Sequence, residues 1–508
     1  METPEWYKLK RYPHIGEPLT IKDYNWVKGY IEDETCIKKH SFLPLIHKCI
    51  IQRKYRADEN STIRNPSGKR RRIIGKPKIR NIYYASHFDS LIFSYYNSLL
   101  SETYNKLIKT KNFDSSIVAY RKIPIIEGSE KNKCNVDFAK TTFEFIESNK
   151  HKKLSVIVAD VTSFFDNLDH KILKRHWCNV IDENTLPPDH YNVFKALTKL
   201  SYVESDQLFN SYKGTMIVEK GVPNSSTLKE NKRIKINSNK YFKEKNAIAY
   251  CTKKEFLKNN LNLIISAKNK KGIPQGSPIS ATLANVYMLD FDQEVYDKVD
   301  SINGFYQRYS DDLIIICEQE YEDVIIKFIR DKIENLAKLE ISESKTKVYR
   351  FEDVDGEFLG FEIDEKTKVP NYYKSLEYLG FNYNGQRVLI KTSGFSKFYR
   401  AMKRSFKKSA SLTKNSKNPD RRIFKSRLYK RFTHVGAKRK LIFRPSKEDP
   451  KKYIETKEYY WGNYMSYILK SNESMKSLNK SDVITKQSRK FWKNFHLLMK
   501  FHEHKLTR

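Results

Sequence analysis

The sequence has 508 residues, 39% of them hydrophobic and 13% aromatic, which excludes an intrinsically disordered protein and predicts two or three domains. Its net charge of +36 at pH 7 indicates a polyanionic partner, with nucleic acid as the first candidate and a membrane surface as the second. A Lys-rich proteome would also produce such a charge. No uninterrupted apolar run reaches the roughly 18 residues that a membrane span needs, so we expect no membrane partner.

The six cysteines indicate a reducing compartment. No two of them stand at C-x-x-C spacing, so a cysteine zinc site is not expected, and so long a chain does not suggest a disulfide framework. The first residues, METPEWYKLKRYPH, contain no apolar signal segment. We therefore expect a soluble protein of the cytoplasm.

The first part of the chain predicts a basic hairpin, two helices and a buried strand. Residues 66–84 carry β-branched pairs broken by Gly and Pro among Lys and Arg, a pattern typical of a hairpin. Apolar residues three and four apart predict helices over 86–109 and 137–148. Residues 153–161, KLSVIVADV, form an apolar β-branched run, which predicts a buried strand with Asp160 at its C-terminal end.

The middle of the chain alternates between polar and strongly patterned segments. A Lys- and Asn-rich stretch, about 203–270, is interpreted as an insertion with loops of its own. Residues 272–290 run from a Gly/Pro turn into a helix. Residues 304–317 predict two short strands joined by a tight turn that carries two acids, and a helix is expected over 321–338.

The last part of the chain is strongly basic and is expected to be mostly helical. Residues 391–508 hold roughly 33 Lys and Arg against about 8 Asp and Glu, an asymmetry typical of nucleic-acid-binding regions. Aromatic residues among such cations can stack bases, although they are equally typical of the cores of basic helices. These residues are Phe398, Tyr399, Tyr429, Phe432, Tyr459, Tyr460, Trp461 and Trp492.

The acids of the predicted strands form a candidate site for phosphoryl transfer. Two-metal phosphoryl transfer needs carboxylates from separate strands that converge on one point, and their hard oxygen ligands suit Mg²⁺. Asp160 ends one strand, and Asp311 and Asp312 lie in the turn between two others. A helix N-cap or an ion pair would also explain Asp160, and a plain hairpin turn would explain the other two.

The ordered motifs over about 78–381 resemble those of reverse transcriptases. VADVTSFFDNLDH resembles the first palm motif of the family, GIPQGSPIS the second, and YSDD the YxDD signature. KIRNIYYASHFD resembles the basic fingers strand, VAYR a finger segment that follows it, and LEISESKTKV the motif with a lysine near the triphosphate. A lone YxDD is weak evidence, whereas the ordered set is specific.

The resemblance implies an α+β right-hand polymerase with fingers, a palm of antiparallel sheet plus helices, and a basic, mainly helical thumb and C-terminal extension. The implied domains are 1–150 for the N-terminal region and fingers, 151–390 for the palm, and 391–508 for the thumb and extension.

The resemblance also implies catalytic and metal-binding roles. Asp160, Asp311 and Asp312 would bind two Mg²⁺, and Lys345 would donate a proton to pyrophosphate. A surface lysine is the alternative for Lys345.

Six residues are implied to contact the nucleotide. Lys78 and Arg80 would hold the triphosphate, with the run 69–72 as a possible replacement and a solvated basic strand as the alternative. Phe165 would be a steric gate that excludes the 2′-hydroxyl of rNTPs, unless it only packs in the core. The glycine of the second palm motif would allow a close backbone approach. The six are Lys78, Arg80, Phe165, Gln275, Gly276 and Tyr309.

Two segments compete for the primer grip. FLGF, residues 358–361, lies nearer to Lys345, whereas EYLGFNYNGQRVLIK has the pattern of a strand, an Asn-Gly turn and a strand. We favour the second, which implies Tyr378, Leu379 and Gly380 as the grip. Apolar core packing would explain either segment.

The motif context is similar to the uncharacterised bacterial group that includes defence-associated and abortive-infection reverse transcriptases. The Val-Thr-Gly expected of a retron thumb is absent, and no maturase, protease, integrase or ribonuclease H segment is recognisable. The resemblance implies an enzyme that copies a structured noncoding RNA into DNA from dNTPs in antiphage defence, and a homo-oligomer is compatible with it.

Other functions remain open at this stage. A protein-primed or template-independent DNA synthesiser would start chains on a hydroxyl, and the 33 tyrosines do not identify one. A non-catalytic RNA-binding scaffold would not need all three acids. An RNA polymerase with a similar palm is disfavoured by Phe165.

Overall fold

The structure is a computed structural model of the whole chain. It describes residues 3–53, 55–58, 72–75, 77–129, 131–221, 229–267, 270–364, 367–416, 422–438, 441–446, 452–459 and 462–506.

Helices and strands alternate along the chain. The helices are α1 (Tyr24–Glu32), α2 (Glu34–Lys38), α3 (His87–Thr110), α4 (Asn135–Ser148), α5 (Phe164–Asn167), α6 (His170–Val180), α7 (Pro188–Thr198), α8 (Ser205–Tyr212), α9 (Lys253–Asn259), α10 (Ser280–Tyr287), α11 (Leu289–Asp300), α12 (Glu322–Ala337), α13 (Thr392–Lys414), α14 (Lys425–Phe432), α15 (Tyr464–Ser474), α16 (Val483–Gln487) and α17 (Arg489–His504). The strands are β1 (His14–Ile15), β2 (Leu45–Gln52), β3 (Tyr55–Ala57), β4 (Arg72–Ile74), β5 (Lys78–Tyr84), β6 (Leu154–Asp160), β7 (Ser201–Glu204), β8 (Met216–Gly221), β9 (Lys229–Ile234), β10 (Ala247–Cys251), β11 (Ile265–Ser266), β12 (Phe305–Tyr309), β13 (Asp312–Glu318), β14 (Lys347–Val354), β15 (Glu357–Ile363), β16 (Pro370–Asn371), β17 (Leu376–Tyr378), β18 (Phe381–Tyr383), β19 (Val388–Ile390), β20 (Leu441–Pro445) and β21 (Tyr453–Tyr459).

An antiparallel sheet with the order β12-β13-β6-β14-β15-β16 occupies the centre of the fold. Its middle strands are apolar on both faces because both faces are covered. Leu313 and Ile315 belong to a core shared with α3, α6, α10, α11 and α12. Ile314 and Ile316 belong to a second core shared with α4 and the C-terminal helices. Burial on both sides fixes the register, and the register positions the acids at the strand ends.

The prediction of a basic hairpin within 66–84 is wrong, because the strands found there do not pair with each other. β5 pairs with β2, and β4 pairs with β3, so the strands within 72–84 find their partners upstream in the sequence, within 45–57. The partner segment lacks a clear hydrophobic period, so the sequence did not indicate this pairing.

The described residues of the stretch 203–270 are folded into strands and helices, contrary to the expected loops. Strands β8, β9 and β10 join β1 in a four-stranded sheet, and α8 and α9 flank it. A core of its own includes Val203, Leu208 and Tyr250 together with Ile15 and Ile46 from the N-terminal region. The stretch supplies apolar side chains that are spaced widely among Lys and Asn. These are enough to build the core, because the N-terminal region supplies further apolar side chains.

The other predicted elements are confirmed within a few residues. The buried strand that ends in Asp160 is β6, the two strands with the acidic turn are β12 and β13, and the helix expected over 321–338 is α12. The Asn-Gly hairpin joins β18 to β19. The expected α+β fold class is confirmed. No described helix is long and apolar enough to span a membrane. The division at residues 150 and 390 stays a prediction.

Candidate active site

Three aspartates meet at one end of the central sheet. Asp160 and Asp312 are direct register partners on β6 and β13, so their side chains start from neighbouring positions. Asp311 lies in the turn before β13, where the Val161 N–H donates a hydrogen bond to its carbonyl oxygen at 3.0 Å. Ser310 holds this turn with a φ of 64°, a left-handed conformation that is uncommon for a residue with a side chain. The structure thus brings together the acids that the sequence pattern selected.

The negative charge at this site is only partly neutralised. Burial, followed by the nearby carboxylates of Asp311 and Asp160, raises the pKa of Asp312 from 3.8 to about 6. Lys345 and Lys78 act in the opposite direction on this pKa, which places both lysines within electrostatic range. The Lys345 ammonium also forms an ion pair with the Asp160 carboxylate. An excess of carboxylate over ammonium charge attracts a further cation.

The site offers suitable ligands for Mg²⁺, but these ligands alone do not complete the coordination of the ion. Its donors are carboxylate oxygens, which a hard cation prefers, and the pKa of Asp312 is raised by burial first and by the carboxylates of Asp311 and Asp160 second. Within the described residues, no three His, Cys, Asp or Glu side chains form a complete metal-binding cluster. Lys345 instead neutralises part of the charge of Asp160. The donor set therefore fits a cation that is brought in together with substrate phosphates, which complete its coordination.

The loop that contains Gln275 and Gly276 packs against the fingers strand β5. The Tyr83 N–H donates a hydrogen bond to the Gln275 carbonyl oxygen at 2.8 Å. Gly276 has a φ of 119°, and a Cβ there would stand 2.6 Å from the Tyr83 carbonyl oxygen, so only glycine permits this approach. Since Lys78 is on the same strand, this contact helps to keep the basic end of β5 near the acids.

Phe165 connects the first palm motif to that same loop. Its carbonyl oxygen accepts a hydrogen bond from the Ile273 N–H at 2.9 Å, and its half-buried ring meets Phe164 edge to face. Phe164 is buried and anchors the pair in the core. Lys78 is exposed and Arg80 is half-buried, as groups that contact a ligand require. Residues 69–71 of the alternative basic run lie outside the described residues.

The residues assigned to the primer grip form a tight hairpin tip between β17 and β18. Leu379 and Gly380 both have positive φ, 43° and 93°, the conformation of a two-residue hairpin turn. A leucine in this conformation is strained by roughly 1–3 kcal/mol. The Asn135 side chain holds the tip by donating to the Leu379 carbonyl oxygen at 3.0 Å. The competing FLGF segment lies in β15, where Gly360 packs tightly against Phe351.

Two tyrosines connect this hairpin to the acidic turn. The buried Tyr378 hydroxyl donates to Gln307 Oε1 at 2.9 Å on β12. Tyr309, at the end of that strand, pairs in register with Asp312, and burial is the main cause that raises its pKa. The primer-grip and nucleotide assignments stay predictions; of their residues, Lys78, Tyr309 and Tyr378 lie within electrostatic range of Asp312 or pair with it in register.

The sequence analysis missed a buried ion pair that supports the acidic turn. Arg308 and Asp292 are fully buried, with Nε–Oδ1 and Nη2–Oδ2 distances of 2.7 and 2.6 Å. Arg308 Nη1 also donates to the Ser310 carbonyl oxygen at 3.0 Å and to Asn285 Oδ1 at 3.3 Å. A signal was present in the sequence, because an arginine inside the apolar strand FYQRY needs a buried acid as a partner.

Residues 116–120 support the same turn from outside the sheet. The Val118 N–H donates to the Arg308 carbonyl oxygen at 3.1 Å, and the Arg308 N–H donates to that of Ser116 at 2.8 Å. The Tyr120 hydroxyl lies 2.8 Å from Ser310 Oγ. The position of the aspartates therefore depends on contacts from three separate parts of the chain.

Replacing Asp312 by Asn is expected to stabilise the protein. A folded-state pKa of about 6, above the ordinary 3.8, means that stability falls as pH rises between these values and stays lower above them. The substitution removes this loss, and we expect a gain of about 1–2 kcal/mol at pH 7.5 and little change at pH 4. Thermal unfolding at both pH values measures the difference.

A magnesium titration of the same variant gives a second test. Mg²⁺ is expected to raise the Tm of the wild type and to raise that of the Asp312→Asn variant less. Asp323→Asn, at an exposed position of α12, is the matched control and should behave as the wild type. A variant that is less stable than the wild type at pH 7.5 would contradict the assigned charge repulsion.

The antiparallel sheet carries aspartates on adjacent strands, close to the basic strand β5, an arrangement that suits phosphoryl transfer. Residues 234–383 match the family model described as reverse transcriptase (RNA-dependent DNA polymerase). The match includes Asp311, Asp312, Lys345 and the hairpin of β17 and β18, covers less than a third of the chain, and does not reach Asp160. Residues 234–383 are thus similar to a reverse transcriptase domain.

Comparison with curated proteins finds no match. Among solved structures, apo telomerase of Candida tropicalis, truncated from its C-terminal domain, matches at 12% identity with a TM-score of 0.35, covering 70% of this chain and 61% of the telomerase. Telomerase of Candida albicans with a fragment of telomeric RNA matches at 12% identity and a TM-score of 0.34, covering 78% and 57%. The chain spans about three fifths of the length of these telomerases, and TM-scores this low support no functional conclusion.

Proposed function

We propose that the chain is an RNA-directed DNA polymerase that adds dNTPs to a 3′-hydroxyl with two Mg²⁺. The observation that supports this most directly is the register of Asp160 against Asp312, with Asp311 beside them and too little positive charge to balance them. Such carboxylates on adjacent strands are what two-metal phosphoryl transfer requires. The reverse transcriptase match over the acidic turn supports the same class of reaction.

The acidic and the basic residues of the site have different proposed roles. Asp160, Asp311 and Asp312 would hold the metal ions, which when bound lower the pKa of the attacking hydroxyl and stabilise the leaving phosphate. Lys78 and Lys345, both within electrostatic range of Asp312, would bind the triphosphate. Lys345 is exposed and would leave Asp160 when a cation takes its place, and its ammonium would then protonate pyrophosphate.

Replacing Phe165 by Ala is expected to admit ribonucleotides. The ring lies one residue after the anchored Phe164 and next to the Ile273 loop, a position that suits a gate against the 2′-hydroxyl. We expect the preference for dNTPs over rNTPs to fall at least about 10-fold, because a steric clash is removed while the triphosphate contacts remain. Single-nucleotide incorporation on a primed RNA template measures both rates.

The conservative variant Phe165→Tyr is the control for this test. It retains a ring of nearly the same shape and should keep the preference for dNTPs. If the Ala variant incorporates both nucleotides more slowly with an unchanged ratio, Phe165 packs in the core and the gate assignment is wrong.

The template is proposed to be a structured noncoding RNA, and the setting bacterial antiphage defence. The first proposal is supported by the charge of +36 and by the basic C-terminal helices. The second is supported by the resemblance of the motif context to defence-associated enzymes alone. We also propose the cytoplasm as the location, consistent with six free cysteines.

A further inference from the structure

A cavity lies beside the turn that carries Asp311. It has a volume of about 360 Å³ and lies between residues 5–10, helix α3, residues 120–122 and the beginning of α10. Tyr120 lines it, and the hydroxyl of this residue contacts Ser310, the neighbour of Asp311, at 2.8 Å. The cavity therefore adjoins the candidate active site but includes none of its acids.

One face of α3 presents short polar side chains to this cavity. They recur three and four residues apart, which places them in a single stripe along the helix. Asn97 Oδ1 accepts a hydrogen bond from Thr282, and Asn105 Oδ1 accepts one from Arg121, which leaves both amide NH₂ groups to donate elsewhere. The stripe consists of Ser94, Asn97, Ser98, Ser101 and Asn105.

The charged residues around the cavity are mostly positive. Lys8, Lys10, Arg121 and Lys122 line it, whereas Glu5 is the only acid in its lining among the described residues. Glu5 forms an ion pair with Lys122, so the remaining cations are not neutralised by a carboxylate of the lining. Hydroxyl and amide groups combined with an excess of cations suit a ligand with both sugar and phosphate groups.

A buried hydroxyl in the cavity wall has no partner. Tyr104 is 1% exposed, and its hydroxyl oxygen makes no hydrogen bond in the structure. Leaving such a group unpaired destabilises a protein, so the residue is expected to gain a partner in some state of the molecule. Phenylalanine would fill the same space without this loss.

We propose that the cavity binds one nucleotide of single-stranded RNA next to the active site. The lysines would contact its phosphate, and the polar stripe with Tyr104 would contact its ribose, including the 2′-hydroxyl that distinguishes RNA from DNA. The volume fits one nucleotide, since ligand pockets begin at roughly 300 Å³. The identity of this strand as the copied template rests on the proposed function, whereas the binding itself does not.

Replacing Tyr104 by Phe separates ligand binding from folding. Because the hydroxyl has no partner in the free protein, the variant should unfold at the same or a higher temperature. Its affinity for a fluorescent single-stranded RNA, measured by anisotropy, should fall about 3- to 10-fold, the effect of one lost hydrogen bond. Its affinity for DNA of the same sequence should stay unchanged.

The lysines are tested by the salt dependence of binding. The Lys8→Gln, Lys10→Gln double variant should reduce the slope of log K against log salt by about 0.7, since the phosphate of one nucleotide contributes about 0.7 for a single strand. The matched control is the Lys106→Gln, Lys109→Gln double variant, whose two lysines are exposed on helix α3. This variant should leave the slope unchanged.

Two results would overturn the proposal. Equal RNA affinity and equal slopes in all variants would show that the cavity does not bind RNA, whether or not the protein polymerises dNTPs. Competition by free ATP as strong as that by RNA would show that the cavity binds a mononucleotide instead. RNA binding that depends on Tyr104 in a protein without polymerase activity would contradict only the proposed function.

Discussion

The Asp311→Ala, Asp312→Ala double variant is expected to lose DNA synthesis by about 10³-fold or more, which corresponds to roughly 4 kcal/mol of transition-state stabilisation. The two side chains and Asp160 form a group of acids at one end of the central sheet, beside Lys78 and Lys345. Without the two, Asp160 is the one carboxylate of this group that remains, and it is paired with Lys345, so a cation next to the 3′-hydroxyl loses most of its ligands. Extension of a primed RNA template by the full chain with Mg²⁺ and dNTPs measures the loss.

Binding of RNA is the internal control for this variant. The aspartates repel the nucleic acid backbone, so their removal should leave RNA affinity unchanged or slightly higher. The exposed acids Asp297 and Asp300 of α11, replaced together by Ala, provide a charge-matched variant that should retain full activity. Undiminished synthesis by the double active-site variant would mean that the chemistry takes place elsewhere in the protein.

Replacing Arg308 by Met is expected to destabilise the protein by about 3–5 kcal/mol and to reduce activity. The substitution leaves Asp292 buried without its partner, and an unpaired buried charge is the most costly outcome for such a pair. It also removes the donor that holds the Ser310 carbonyl oxygen. Thermal or urea unfolding measures the first effect, and single-turnover incorporation measures the second.

A second variant distinguishes a positioning role from a purely structural one. Arg308→Met combined with Asp292→Leu removes both charges, and such replacements often restore stability. We expect the double variant to recover most of the lost Tm but to stay at least about 10-fold less active, with the loss in kcat, because the turn that carries Asp311 still lacks its donor. Full recovery of both stability and activity would show that Arg308 serves folding alone.

Local patterns predicted the elements that carry the catalytic acids. β6 and β13 are rich in β-branched residues, and the turn between β12 and β13 interrupts a largely apolar sequence, so period and composition agree. The site could be predicted from these strands, because antiparallel pairing places the end of one strand beside the start of its neighbour. The contact of Lys345 with Asp160 joins residues far apart in the chain, and the sequence did not indicate it.

Pairings between distant segments could not be predicted. β5 pairs with β2, whose sequence LIHKCIIQ gives no indication of its partner, and the folded stretch 203–270 depends on Ile15 and Ile46. In the sequence, Arg308 lies inside a predicted strand, and no residue is an evident partner for its charge. Asp292 is one of several acids on α11, and nothing in the sequence distinguishes it from the others before the helix is placed against β12.

Sequencing the DNA that the purified protein makes from dNTPs and Mg²⁺ tests the central claim most directly. The reaction uses the RNA that copurifies with the full chain, with and without prior ribonuclease treatment. The proposed function predicts DNA complementary to that RNA, and loss of this product after ribonuclease treatment. DNA of unrelated or simple sequence that forms equally well after ribonuclease treatment would contradict RNA-directed synthesis and identify a template-independent enzyme instead.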